Sequence, residues 1–72
     1  MTTTQKENRV KKDWEVIAKE DLNVQLIGDT FYAFCSEIAS LRLLKAYRNT
    51  EKADCGFSDN LRNFYFKLET NG

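Results

Sequence analysis

The chain has 72 residues, of which 42% are hydrophobic, and its 11 basic residues balance its 11 acidic residues. A chain of this length has room for one hydrophobic core and no second lobe, so we expect a single domain over residues 1–72. A net charge of zero excludes a strong overall positive field, and any site for nucleic acid or another polyanion would have to be local.

The first predicted element is a helix over about residues 5–19. Apolar side chains recur at helical intervals, with Trp14 and Ile17 among them. Thr4 followed by Glu7 has the spacing of a capping box, in which each residue satisfies a free amide of the other at the start of a helix.

A strand is the alternative for residues 13–18, because tryptophan, valine and isoleucine also favour extended structure. The order of elements would then be βββαββ rather than αββαββ. The two ends of the chain, residues 1–4 and 70–72, carry no such pattern, and we expect them to be frayed.

A hairpin and a second helix follow. Apolar runs at 24–27 and 31–35 flank a Gly-Asp pair at 28–29, which readily adopts the positive φ of a tight turn. From Ser36 the apolar residues recur at helical intervals, and a serine at this position can cap the first turn. We expect this helix to end at about Arg48.

The last part of the chain predicts a second hairpin. The runs "ADCGF" and "RNFYFKLE" surround a turn at Asp59 and Asn60, and Gly56 is expected to mark a β-bulge. The sequence therefore predicts an α+β fold with the order αββαββ. Its four-stranded sheet would be antiparallel or mixed, with the helices packed on one face and a right-handed crossover between the hairpins.

Cys35 is the first candidate for chemistry, because the N-terminus of a helix can lower the pKa of a thiol. A nucleophile also needs a positioned base, and the chain contains no histidine. Strand alternation places Cys35 on the face of Phe31 and Ala33, which favours a buried structural role. A disulfide with Cys55 requires neighbouring strands, and the absence of an export signal favours two free thiols instead.

Other catalytic patterns are weak. Two thiols without an imidazole cannot supply the usual four ligands of a structural zinc site, and three isolated glycines form no phosphate-binding loop. We therefore expect no enzymatic activity, no catalytic residues, no cofactor and no metal. The apolar runs are far shorter than the roughly 20 residues that span a membrane, so we expect a cytoplasmic protein without a membrane partner.

The second helix offers the first candidate binding surface. Ile38 and Leu41 are apolar but lie away from the side expected to face the sheet, among Arg42, Lys45 and Arg48. Apolar side chains ringed by basic ones are typical of the centre of a protein interface. The alternative is that the first helix covers Ile38 and Leu41 within the molecule.

The aromatic strands offer the second surface. Tyr32, Phe34 and Tyr65 share one predicted face and, with Arg62 and Lys67, could form a platform on which bases stack. The alternative is that these rings are ordinary cross-strand partners within the sheet.

In size, neutral charge and lack of catalytic motifs, the chain resembles the small accessory proteins of phages and mobile elements, which often bind and block a larger host complex. The resemblance covers no motif and assigns no residues. The leading hypothesis is a small non-enzymatic module that acts through protein-protein contacts. The alternative is binding of single-stranded nucleic acid or RNA. A homodimer is a further hypothesis, because self-association can cover an exposed edge strand.

Overall fold

The computed structural model describes residues 2–50 and 52–69, and it confirms the predicted order αββαββ. The elements are helix α1 (Thr3–Ala18), strands β1 (Asn23–Ile27) and β2 (Thr30–Cys35), helix α2 (Glu37–Ala46), and strands β3 (Ala53–Ser58) and β4 (Asn63–Glu69). The strand alternative for 13–18 is wrong, because these residues complete α1. The predicted frayed tail at 70–72 lies outside the described residues.

Helix α1 begins earlier than predicted. The side chain of Thr2 accepts a hydrogen bond from the backbone N–H of Gln5 at 3.2 Å, and the side chain of Gln5 accepts one from the N–H of Thr2 at 3.0 Å. The capping box therefore uses Thr2 and Gln5 rather than Thr4 and Glu7. Thr4 lies in the first turn of α1.

Helix α2 begins as predicted and ends sooner. Ser36 is its N-cap, and the hydroxyl oxygen accepts a hydrogen bond from the backbone N–H of Ala39 at 3.2 Å. The last helical residue is Ala46, and Arg48 lies in the turn that follows. Tyr47 is the C-cap, and its ring stacks on Phe66 with the centroids 5.8 Å apart.

The strands form one antiparallel sheet in the order β1-β2-β4-β3. The first hairpin turns at residues 28–29 as predicted, with Gly28 at a φ of 63°. The connection through α2 joins β2 to β3, and these strands do not pair because β4 lies between them. The second hairpin turns through the four residues 59–62, with Arg62 at a φ of 51°.

The predicted bulge at Gly56 is wrong. The pairing of β3 with β4 runs without interruption from Ala53 opposite Leu68 to Ser58 opposite Asn63. A Cβ atom at position 56 would lie 2.8 Å from the hydroxyl oxygen of Tyr65, on the facing strand. Glycine is needed at this position because the ring of Tyr65 lies against the backbone of β3 there. Glycines within strands often permit such a close approach.

Both helices pack on the same face of the sheet, and Trp14 lies at the centre of the core. Only 2% of its surface is exposed. Its ring makes edge contacts with Phe31, Phe66 and Tyr47, at centroid distances of 6.3, 5.0 and 6.1 Å. The indole N–H donates a hydrogen bond to the Tyr47 hydroxyl at 3.0 Å. A single aromatic cluster thus joins α1, α2 and the two central strands.

Candidate binding surfaces

Cys35 is buried and chemically unsuited to act as a thiolate. Only 5% of its surface is exposed, and its sulfur lies 3.7 Å from the carbonyl oxygen of Ala33. Burial, together with the nearby carboxylate of Glu20, raises the pKa of the Cys35 thiol to about 11. The helix that follows this thiol therefore does not activate it.

Glu20 explains why the start of α2 does not stabilise a thiolate. Its two carboxylate oxygens accept hydrogen bonds from Ser36, one from the hydroxyl at 2.7 Å and one from the backbone N–H at 3.1 Å. These bonds lower the pKa of Glu20. An anion is thus already present at the positive end of the helix dipole. The two residues are 16 positions apart, so no local sequence pattern predicts this contact.

The two cysteines cannot form a disulfide in this fold. Both Cys35 and Cys55 are free. Cys35 lies on β2 and Cys55 on β3, with β4 between these strands. Two inter-strand spacings amount to about 9.5 Å, which exceeds the roughly 7 Å that a disulfide can bridge between Cα atoms.

The first candidate site, here termed the α2 surface, consists of Ile38, Leu41, Arg42, Lys45 and Arg48. Ile38 is 61% exposed and Leu41 is 52% exposed. The interpretation that α1 covers these two side chains is wrong, because the three α1 residues expected to cover them turn towards the core instead. Those residues are Val10, Trp14 and Ile17, all in or against the core.

The basic residues of the α2 surface lie along a groove between the ends of the two helices. The guanidinium of Arg42 donates a hydrogen bond to the carbonyl oxygen of Ala18, the last residue of α1, at 2.8 Å. The groove has a volume of about 540 Å³, and Lys45, Arg48 and Lys19 also line it. None of its described lining residues is acidic.

Sequence reasoning brought together Arg42, Lys45 and Arg48 but missed Lys19. Lys19 follows the last residue of α1 directly, and its φ of 60° marks the end of that helix. Basic side chains near a helix C-terminus complement the negative end of its dipole, which accounts for part of this cluster. The position of Lys19 just after the apolar repeat indicated the end of α1. The sequence did not show that this end lies beside Arg42 of α2.

The second candidate site, here termed the aromatic face, is the side of the sheet opposite the helices. Tyr32 and Phe34 are stacked, with ring centroids 6.4 Å apart and planes at 11°. Tyr65 pairs with Phe34 across the strands, and its ring lies 6.2 Å from that of Tyr32. Lys67 pairs with Tyr32. The fifth predicted residue, Arg62, lies in the exposed turn beyond the paired strands.

The charges beside the aromatic face are balanced. A depression of about 350 Å³ next to Tyr32 contains two basic residues, Lys52 and Lys67, and two acidic ones, Asp54 and Glu69. Binding of a phosphate backbone depends on an excess of positive charge. The rings also contact one another, as cross-strand partners do. The geometry therefore favours a role within the sheet over a platform for bases.

The chain matches no family model, no curated protein and no solved structure. Within the described residues, no three His, Cys, Asp or Glu side chains lie together as metal ligands would. No helix in that part of the chain is long and apolar enough to cross a membrane.

Proposed function

We propose that the protein is a non-enzymatic binding module that acts through protein-protein contacts, and that the α2 surface is its binding site. The observation that supports this proposal is the exposure of Ile38 and Leu41, 61% and 52%, in the middle of a basic helix face. Apolar centres with arginine around them are enriched in protein interfaces.

The energetics of this surface are favourable for binding. Complete burial of an isoleucine or leucine side chain contributes about 1.5–3 kcal/mol. Covering the exposed half of Ile38 and of Leu41 would therefore contribute roughly 1 kcal/mol for each side chain. Arg42 is already held by the carbonyl of Ala18. Less side-chain entropy is therefore lost when a partner contacts its guanidinium.

The chemistry of the surface defines the partner. An apolar pocket would receive Ile38 and Leu41, and carboxylates around it would meet Lys45 and Arg48. We propose a surface of a larger cytoplasmic complex as this partner, which the protein would block in the way that small phage-encoded inhibitors do.

The test is a binding measurement on an identified partner. Cross-linking followed by mass spectrometry would identify the partner, and titration calorimetry would give its affinity for the variants Leu41→Glu and Arg42→Glu. We expect each to weaken binding at least tenfold, about 1.4 kcal/mol. Val16→Glu is the matched control, because Val16 is a 77% exposed apolar residue on α1. Unchanged affinity for both α2 variants, with circular dichroism showing intact folding, would refute the proposed surface.

The second candidate function is binding of single-stranded nucleic acid or RNA by the aromatic face. The stacked pair of Tyr32 and Phe34 beside Lys67 favours it. It predicts binding that weakens steeply with salt and is lost in Tyr65→Ala or Arg62→Ala. Fluorescence anisotropy with labelled oligonucleotides at low salt checks this, and no binding there would eliminate the candidate.

A further inference from the structure

The two edges of the sheet differ. At the β1 edge, a carboxylate oxygen of Glu7 accepts a hydrogen bond from the backbone N–H of Leu26 at 2.7 Å. A carboxylate oxygen of Glu15 likewise accepts one from the N–H of Leu22 at 2.9 Å, just before the strand. Both glutamates belong to α1. The helix thus takes the outward amide of Leu26, one of those that another strand would need in order to pair with β1, and the amide just before the strand.

The β3 edge carries outward-facing backbone groups. The N–H of Glu69 donates a hydrogen bond to the carbonyl of Lys52 at 3.2 Å, so residue 52 faces β4. Residues of an antiparallel strand alternate between facing one neighbour and facing the other. Ala53, Cys55 and Phe57 therefore direct their N–H and C=O groups away from the sheet.

These outward groups have only local partners. The N–H of Cys55 donates to the side chain of the preceding Asp54 at 2.8 Å, and the N–H of Ala53 lies 3.5 Å from the carbonyl of Thr50. Among residues 2–50 and 52–69, no side chain of another helix or strand bonds to them. Phe57 on this edge is also 50% exposed. Unlike β1, β3 can accept another strand.

We propose that β3 pairs antiparallel with β3 of a second copy of this chain, about a two-fold axis at Cys55. Ala53 then lies opposite the partner's Phe57, and Cys55 opposite the partner's Cys55. This register pairs all the outward-facing residues of both strands. A shift of two residues in one direction places Asp54 opposite the partner's Asp54, which is unfavourable for like charges. The opposite shift leaves Ala53 without a partner in β3.

The side chains on both faces of this junction are complementary. On the aromatic face, Asp54 lies opposite the partner's Gly56, and the hydroxyl of the partner's Tyr65 lies over that glycine. Within the described residues the Tyr65 hydroxyl makes no hydrogen bond. When the N–H of Cys55 joins the new ladder, the Asp54 carboxylate is released to accept from that hydroxyl. On the helix side, Phe57 covers the partner's Ala53.

Sedimentation velocity over a concentration series tests the proposal. The average mass should rise from 8.4 kDa towards twice that value. Phe57→Lys should raise the dissociation constant at least tenfold, because it places a charge on the edge. Ile27→Lys is the matched control, since Ile27 is a 57% exposed apolar residue on the β1 edge. Tyr65→Phe should raise the constant roughly tenfold by removing two hydrogen bonds from the dimer.

Oxidation by diamide tests the register. The reagent takes two electrons and two protons from two thiols, and in the dimer it should couple Cys55 to the partner's Cys55. The covalent dimer should form in Cys35→Ser and be absent in Cys55→Ser. If circular dichroism shows that Phe57→Lys does not fold, the dissociation constant of the Tyr65→Phe dimer tests the proposal instead.

Several results would overturn the proposal. A single-chain mass at every concentration would do so, and so would a dimer that Ile27→Lys breaks and Phe57→Lys leaves intact. A dimer that does not cross-link through Cys55 would contradict the register.

Discussion

Replacing Tyr47 by phenylalanine should destabilise the fold by about 1–3 kcal/mol, the cost of leaving a buried hydrogen-bond donor without an acceptor. The donor is the indole N–H of Trp14, a side chain that is only 2% exposed, and its acceptor is the Tyr47 hydroxyl at 3.0 Å. The phenylalanine ring keeps the stacking on Phe66 and the edge contact with Trp14. The loss is therefore nearly all hydrogen bonding, and each kcal/mol lowers the Tm by about 4–8 °C.

Urea unfolding followed by tryptophan fluorescence measures this change. Trp14 is the only tryptophan, so the signal reports directly on the core. Tyr32→Phe is the control, because Tyr32 lies on the aromatic face and its hydroxyl makes no hydrogen bond within the described residues; we expect a change below about 0.5 kcal/mol. Trp14→Phe removes the only tryptophan, so its unfolding is followed by circular dichroism instead. It should cost less in the Tyr47→Phe background than in the wild type. Equal midpoints for Tyr47→Phe and Tyr32→Phe would refute the reasoning.

Three further results are expected. Hydrogen bonds at the start of α2 lower the pKa of Glu20 below its ordinary 4.5, so its carboxylate stabilises the fold above that pH and the contribution is lost as the pH falls through the folded-state pKa. The urea midpoints of wild type and Glu20→Gln should differ at neutral pH and converge on acidification; a constant difference would contradict this. Burial raises the pKa of both thiols, but Cys35 is the more deeply buried. A thiol reagent should therefore label Cys55 faster than Cys35. Only Cys35 remains in the Cys55→Ser variant, so fast labelling of that variant would contradict the prediction. Gly56→Ala should cost roughly 1 kcal/mol because the new methyl group meets the Tyr65 ring. In a Tyr65→Ala background the same change should be neutral or stabilising by thermal unfolding, and an undiminished cost there would point to another cause.

Local signals predicted most of the secondary structure. The Gly-Asp pair at 28–29 has the chemistry of a tight turn, and Ser36 has that of a helix cap, and each works within a few residues. The start of α1 was misplaced because Thr2 and Thr4 are followed at the same interval by residues able to complete a capping box. The role of Gly56 was predicted wrongly because the side chain that requires a glycine there, Tyr65, belongs to the neighbouring strand.

The candidate sites depended on contacts that no local pattern encodes. Whether Ile38 and Leu41 are covered depends on where α1 packs, and that is decided by the fit of Trp14 against Phe31 and Phe66. The composition of the α2 surface was predictable from helical spacing. Its exposure was not, because the helical pattern did not reveal how α1 would sit against the sheet.

The contacts of Glu7 and Glu15 with the amides beside β1 have a consequence for assembly. Open-ended fibrils require subunits that can add at two ends, because each new subunit must expose a fresh site for the next. At the β1 edge of this sheet, side chains of α1 already hold the amides of Leu22 and Leu26. If β3 adds a second copy as proposed, growth by strand addition would therefore end after that single step, although the sequence contains no proline to block an edge.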